Sequence, residues 1–140
     1  MHHQSHSETE TGQIASDLAK DASPGNVYCL YGDLGAGKTV FARAFIQSLT
    51  GAETEVPSPT FTLVQTYDTS KGPLYHFDLY RIQDPEEIYE LGWDDALSDG
   101  IVLIEWPQRL GHALPARRTD VTLNTETDTS RKIDIDVQAG

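Results

Sequence analysis

The sequence is short of cysteine, of basic residues and of long apolar runs, and each shortage excludes something. A single cysteine, Cys29, rules out an internal disulfide and any zinc cage built from several cysteines. It lies in the apolar run 27–31, where a buried core thiol is expected. Apolar runs reach only about five residues, so no membrane-spanning helix is expected. No charged-then-apolar leader opens the chain, and a reducing cytoplasm is the expected compartment. Ten Lys and Arg face 22 Asp and Glu, a net charge of −12. Such a chain is a poor binder of DNA, RNA or anionic membrane by itself, because phosphate contacts need cations. It can meet RNA through a basic partner. His2, His3 and His6 crowd the start, and residues 1–10 are expected to form a disordered tail.

What is present suits one domain over residues 11–140. The 140 residues are 38% hydrophobic, enough for a packed core. Ile14, Ala15, Leu18, Ala19 and Ala22 share one face of a helix expected over 11–22. Ser7 and Glu10 can form a capping box before it, and Ser23-Pro24-Gly25 stops it. A strand is expected over 27–31, then a glycine-rich turn, then a helix to about Leu49. Two prolines keep 56–60 out of regular structure. Strands are expected over 61–67 and 74–79 with a turn at 71–73. A helix should start at Asp84-Pro85, with Glu87 at its third position. A strand follows over 101–106, and 121–125 with 132–137 read as a terminal antiparallel hairpin. The alternation of strands and helices predicts a three-layer α/β domain.

The strongest motif is Gly32-Asp33-Leu34-Gly35-Ala36-Gly37-Lys38-Thr39, which fits G-x-x-x-x-G-K-[ST]. Its glycines allow a turn that aims successive N–H groups at phosphate oxygens. The helix behind it adds its positive end. Lys38 is placed to reach the β- and γ-phosphates and the Thr39 hydroxyl to ligate Mg²⁺. The spacing does not fit the dinucleotide fingerprint G-x-G-x-x-G.

A phosphate site of this kind needs a second metal anchor at the end of a neighbouring strand. Glu105, closing the apolar run 101–104, supplies a carboxylate where Asp is usual. It can bind metal directly, bind through water, act on the attacking water, or be a solvated strand-end glutamate. Asp78 closes the run 74–77 and either orients a metal shell or a nucleophilic water, or serves as an N-cap or a surface partner of Arg81. His76 shares its strand face and reads as a packed histidine. Thr60, in Ser58-Pro59-Thr60, either senses a γ-phosphate or belongs to a rigid proline turn. Arg43 reads as a surface or packing residue, and Trp93 and Trp106 as core or interface aromatics.

These motifs, together with Phe61-Thr62-Leu63-Val64, His76-Phe77-Asp78-Leu79-Tyr80-Arg81 and Ile104-Glu105-Trp106-Pro107, stand in an order that resembles the bacterial TsaE family. The resemblance runs from about Thr11 to Val137. It implies a P-loop NTPase-like domain with a mainly parallel central sheet and a C-terminal antiparallel hairpin. It implies a weak ATPase serving threonylcarbamoyladenosine formation in tRNA, with ATP and Mg²⁺ as cofactors. The partners it implies are TsaD and TsaB, with tRNA reached only through that complex. By motif, Gly35 to Thr39 hold the phosphates, Thr39 and Glu105 hold Mg²⁺, Asp78 is required for hydrolysis and Thr60 belongs to a switch-like loop. Thr11 matches the family's adenine-side threonine, although Ile14-Ala15 stands where Leu-Gly is frequent. Val40 also departs from the family pattern, at a core-facing position. The hairpin carries no motif. Two other functions remain compatible with the residues: a nucleotide-gated binding module that needs no hydrolysis, and a small-molecule kinase.

Overall fold

The computed structural model describes residues 1–140. Its centre is one seven-stranded sheet. In chain order the elements are β1 (His2–Ser5), α1 (Glu8–Ala19), β2 (Val27–Tyr31), α2 (Lys38–Thr50), β3 (Val64–Thr69), β4 (Gly72–Asp78), α3 (Trp93–Asp99), β5 (Ile101–Glu105), β6 (Arg117–Thr125) and β7 (Arg131–Ala139). Short 3-10 segments, Pro85–Leu91 and Pro107–Ala113, flank α3 and β5. The strand order is β1-β7-β6-β2-β5-β4-β3.

The sheet is mixed rather than mainly parallel. The neighbours β6, β2, β5 and β4 run parallel. The pairs β3–β4, β6–β7 and β1–β7 are antiparallel. The reason at one edge is covalent: Thr69 pairs with Gly72, so only two residues join β3 to β4, and so short a connection can only reverse the chain. The expected β6–β7 hairpin is present and extends further at both ends, over Arg117–Thr125 and Arg131–Ala139.

Both faces of the sheet are covered. On one face Ala15, Ala19, Phe41, Phe45 and Ile46 of the two long helices pack on Leu30, Leu74, Leu103 and Val121. On the other, Trp93 and Ala96 of α3 and Ile88 pack on Cys29, Phe77, Val102 and Ile104. Strands buried on both sides are continuously apolar, which is why β2 and β5 show no alternation. Trp93 is a core residue, as expected, and Arg43 lies exposed. No helix is long and apolar enough to cross a membrane.

The expectations fail most clearly at the N-terminus. Residues 2–5 pair with β7, His2 opposite Asp134 and Ser5 opposite Arg131. The helix begins at Glu8, three residues before the expected start, because the Ser7 side chain accepts from the Glu10 N–H at 3.1 Å. Glu10 reaches back one residue further than a capping box requires, accepting from the His6 N–H at 3.0 Å. The short polar strand has no hydrophobic alternation, so its pairing is invisible without β7 beside it. Ser5 is fully buried, with its hydroxyl 2.7 Å from that of Thr11. The strand expected from Phe61 begins only at Val64, because Leu63 takes φ 70°, outside the extended region. The helix expected at Asp84 is a 3-10 segment, with the capping box between Asp84 and Glu87 formed. Gly92, in a left-handed conformation, ends it as its position after Leu91 suggests, and opens α3, a helix not expected from the sequence.

Two measurements check this arrangement. Ser5→Ala should lower stability by about 1–3 kcal/mol in urea denaturation, as expected for loss of its two hydrogen bonds, to the Ser7 carbonyl and with the Thr11 hydroxyl. An untethered tail would give no change. Burial, with the Asp120 carboxylate nearby, pushes the Cys29 thiol up to about 12. It should therefore resist a thiol reagent at pH 8 in the folded protein and react on unfolding. The folded value lies above the unfolded one, so the contribution is complete below about pH 8.5 and is lost as pH rises towards about 12.

Candidate functional site

The parallel centre of the sheet carries the site at one edge. Register places Leu30 of β2 opposite Glu105 of β5, and Glu105 opposite Asp78 of β4. Both carboxylates and the glycine-rich loop that follows Tyr31 therefore emerge together at the C-terminal ends of neighbouring strands. The crevice at such strand ends is the usual ligand position in open α/β sheets. A cavity of about 670 Å³ opens here, and its wall includes Thr11, Lys38, Thr39, Thr60, Asp78 and Glu105.

The loop's shape depends on glycine at two points. A Cβ on Gly32 would lie 2.7 Å from the Leu123 carbonyl oxygen, so no side chain fits between loop and hairpin. Gly37 caps α2 in a left-handed conformation (φ 99°), with no side chain covering the helix end. The first N–H groups of α2 and its dipole thus face the cavity, the arrangement of an anion site. Leu34, Gly35, Gly37, Lys38 and Thr39 line the cavity. Gly32, Asp33 and Ala36, also expected at the site, do not line it. Ala36 is buried and donates its N–H to the Asp33 carbonyl at 3.0 Å.

Lys38 is buried, with its ammonium 3.8 Å from the centroid of the Trp106 ring. It also donates to the Gly32 carbonyl, and lies 3.5 Å from that of Asp33. Burial lowers its pKa, opposed in part by the carboxylates of Glu105, Asp78 and Asp33. Thr39 donates its hydroxyl to Glu105 Oε1 at 3.4 Å. The other Glu105 oxygen, Oε2, lies 2.7 Å from His76 Nε2. Glu105 is therefore a buried carboxylate and not a solvated strand end.

Asp78 is buried as well and does not pair with Arg81. Its Oδ2 accepts from the Thr60 hydroxyl at 3.0 Å and its Oδ1 from the Tyr80 N–H at 3.0 Å. Arg81 instead lies over the Phe61 ring, 5.0 Å from its centroid. Thr60 is further tied to Ser58, 2.7 Å away. The loop behind them is pinned by the Leu63 N–H to the Pro59 carbonyl at 2.7 Å, and by the Asp78 N–H to the Leu63 carbonyl at 3.0 Å. Leu63 and Trp106, the two non-glycine residues with positive φ, thus sit directly beside the two carboxylates. Such conformations cost about 1–3 kcal/mol and persist only where their surroundings fix them.

Thr39 and Glu105 present hard oxygen donors side by side, the donor type that suits Mg²⁺. No three His, Cys, Asp or Glu side chains converge into a complete metal cage. A cation held here would take its remaining ligands from water or a bound anion, as Mg²⁺ commonly does.

One residue that shapes the cavity was not legible in the sequence. Arg131, at the start of β7, donates Nε–H to the Ala36 carbonyl at 3.1 Å and reaches the Gly35 carbonyl at 3.3 Å. Its remaining amine donates to the carbonyls of Thr127 and Ser130 at 2.9 and 3.0 Å. Holding the Ala36 carbonyl outward leaves the Gly37 N–H of the same peptide plane facing the opposite way. Asp128 and Thr129 of the same turn line the cavity, as do His6, Ser7 and Glu8 of the N-terminus. No spacing in the chain announces this, since Arg131 and Gly35 are 96 residues apart.

The family model described as "Threonylcarbamoyl adenosine biosynthesis protein TsaE" matches residues 5–133. The chain belongs to the TsaE family. It is 45% identical over 124 residues to a Rickettsia felis protein named "tRNA threonylcarbamoyladenosine biosynthesis protein TsaE", covering 89% of this chain and 72% of that one. The Bacillus subtilis protein of the same name is 41% identical over 125 residues, covering 89% and 77%. The crystal structure of Bacillus subtilis YdiB matches all of this chain and 86% of its own, with a TM-score of 0.77 and 32% identity. The TsaE model begins at Ser5, so its match includes the capped start of α1 and not only the motifs.

Arg131→Ala should loosen the glycine-rich loop. Stability should fall by about 1–3 kcal/mol, because the Gly35 and Ala36 carbonyls lose their donors. Chemical denaturation checks this. Faster amide hydrogen exchange confined to residues 33–37 would identify the loop as the part released.

Proposed function

We propose that this protein is an Mg²⁺-dependent ATPase with a P-loop nucleotide site, acting in formation of threonylcarbamoyladenosine in tRNA. The observation that carries it is the meeting of Lys38, Thr39, Asp78 and Glu105 in one cavity at the strand ends. Membership of the TsaE family supports the pathway. The loop N–H groups and Lys38 would bind the phosphates, and Lys38 would offset charge growing on the transferred phosphoryl group. Thr11, which also lines the cavity, is the candidate adenine-side contact. Thr39 and Glu105 would hold Mg²⁺, which when bound neutralises phosphate charge. Asp78, oriented by Thr60 and the Tyr80 N–H, would align the attacking water and accept its proton. Thr60, joined to Asp78, would couple the 58–63 loop to the γ-phosphate.

The partners proposed are TsaD and TsaB, with tRNA met only through them. The acidic balance of the chain supports docking on a basic protein surface rather than direct contact with tRNA, DNA or membrane. The large apolar side chains exposed near the glycine-rich loop and the two carboxylates, Leu34, Phe61 and Tyr80, support a partner on the same face as the site.

Phosphate release from Mg-ATP tests this reading. The protein alone should turn over slowly, at about 10⁻⁴ to 10⁻² s⁻¹, as P-loop proteins without an added stabilising group do. The matching TsaD–TsaB pair should accelerate it. Asp78→Asn should keep nucleotide binding and lose roughly 100-fold or more in rate, whereas Lys38→Ala should lose binding. Bound ATP without hydrolysis, with and without the pair, would replace the ATPase by a nucleotide-gated binding module.

A further inference from the structure

His76 lies in β4, fully buried between Gln65 of β3 and Leu103 of β5 in the strand register. Its Nε2 sits 2.7 Å from Glu105 Oε2. Its Nδ1 is buried with no hydrogen-bond partner. A histidine that served only to fill space would be a poor choice here. An apolar side chain would fill the position without stranding a polar atom. The single polar contact the ring makes is the one to Glu105, so that contact is what distinguishes histidine from a hydrophobe at this site.

A carboxylate can only accept, so Nε2 carries the hydrogen and donates it to Oε2. That leaves Oε1 turned towards the Thr39 hydroxyl. Glutamate has one more rotatable bond than the aspartate usual at such a strand end, and an unrestrained carboxylate would sample orientations away from Thr39. Buried hydrogen bonds to a ligating carboxylate fix its orientation and raise metal affinity.

We infer that His76 is a positioning residue that locks Glu105 with Oε1 facing Thr39, so that the two oxygens present one preformed Mg²⁺ site. The inference rests on the reading of Glu105 and Thr39 as metal anchors. It assigns His76 no contact with nucleotide.

The test separates the hydrogen bond from packing. Glutamine places its amide nitrogen as many bonds from the backbone as Nε2 of histidine, so it can still donate to Glu105. Asparagine is one atom shorter and cannot. Leucine is apolar. Binding of the non-hydrolysable analogue adenosine 5′-(β,γ-imido)triphosphate to the full-length protein is measured by calorimetry, with Mg²⁺ and with EDTA. Wild type should bind more tightly with Mg²⁺. His76→Gln should keep that gain within about threefold, while His76→Leu and His76→Asn lose roughly 10- to 100-fold of it. All should bind alike in EDTA, because His76 does not touch the phosphates. If His76→Leu fails to fold, the Gln and Asn pair carries the comparison. Full Mg²⁺ gain in Asn or Leu, or loss in Gln equal to that in Asn, would overturn the positioning role. A wild-type protein indifferent to Mg²⁺ would instead overturn the metal reading of Glu105, and this inference with it.

Discussion

The site depends on the parallel pairing of β2, β5 and β4. Parallel neighbours end on the same side, and their register sets Leu30, Glu105 and Asp78 in one row. A shift of one residue in either pairing would turn one carboxylate to the opposite face of the sheet. That face is occupied by Phe77, Ile104 and Trp93. The cost of burying an unpaired carboxylate there guards the register in addition to the apolar contacts. The same row fixes the start of the glycine-rich loop, since β2 ends one residue past Leu30.

Around this row the polar groups are arranged as a chain of shared contacts. Thr60 holds Asp78, Thr39 approaches Glu105, and His76 holds the other side of Glu105. Lys38 lies against Trp106 and close enough to three carboxylates for them to oppose the effect of its burial. The cavity wall of this acidic chain holds Lys38 and Arg131 among the carboxylates of Glu8, Asp78, Glu105 and Asp128. Backbone N–H groups at the start of α2 add positive potential without adding a basic residue.

The glycine-rich loop and the start of the helix behind it were legible in the sequence because their requirements are local. Glycines at fixed spacing, a lysine and a threonine are all supplied within eight consecutive residues, and an apolar run ending in Glu105 marks its own strand end. The central strands were legible for the same reason, since continuous apolar runs of five residues suit strands covered on both faces. Other features depend on partners far along the chain. Strand β1 is polar, and only its ladder with β7 makes it a strand. The role of Arg131 depends on two carbonyls almost one hundred residues away. His76 read as packing because a strand face alone does not reveal that Glu105, two residues further along β5 than its register partner Leu103, reaches its ring.

These distant features share a consequence. The antiparallel strands added at one edge of the sheet do more than extend it. Pairing of β6 with β7 brings the 126–130 turn beside the loop, and Arg131 then ties that turn to Gly35 and Ala36. Pairing of β1 with β7 carries Ser5 to Thr11 and sets the capped start of α1 at the cavity wall. The central strands fix the two carboxylates, whereas the edge strands fix the loop and the far wall. A rigid parallel core alone would hold half of the site. The antiparallel edge supplies the donors that keep the glycine-rich loop, whose glycines open many conformations to it, in one conformation.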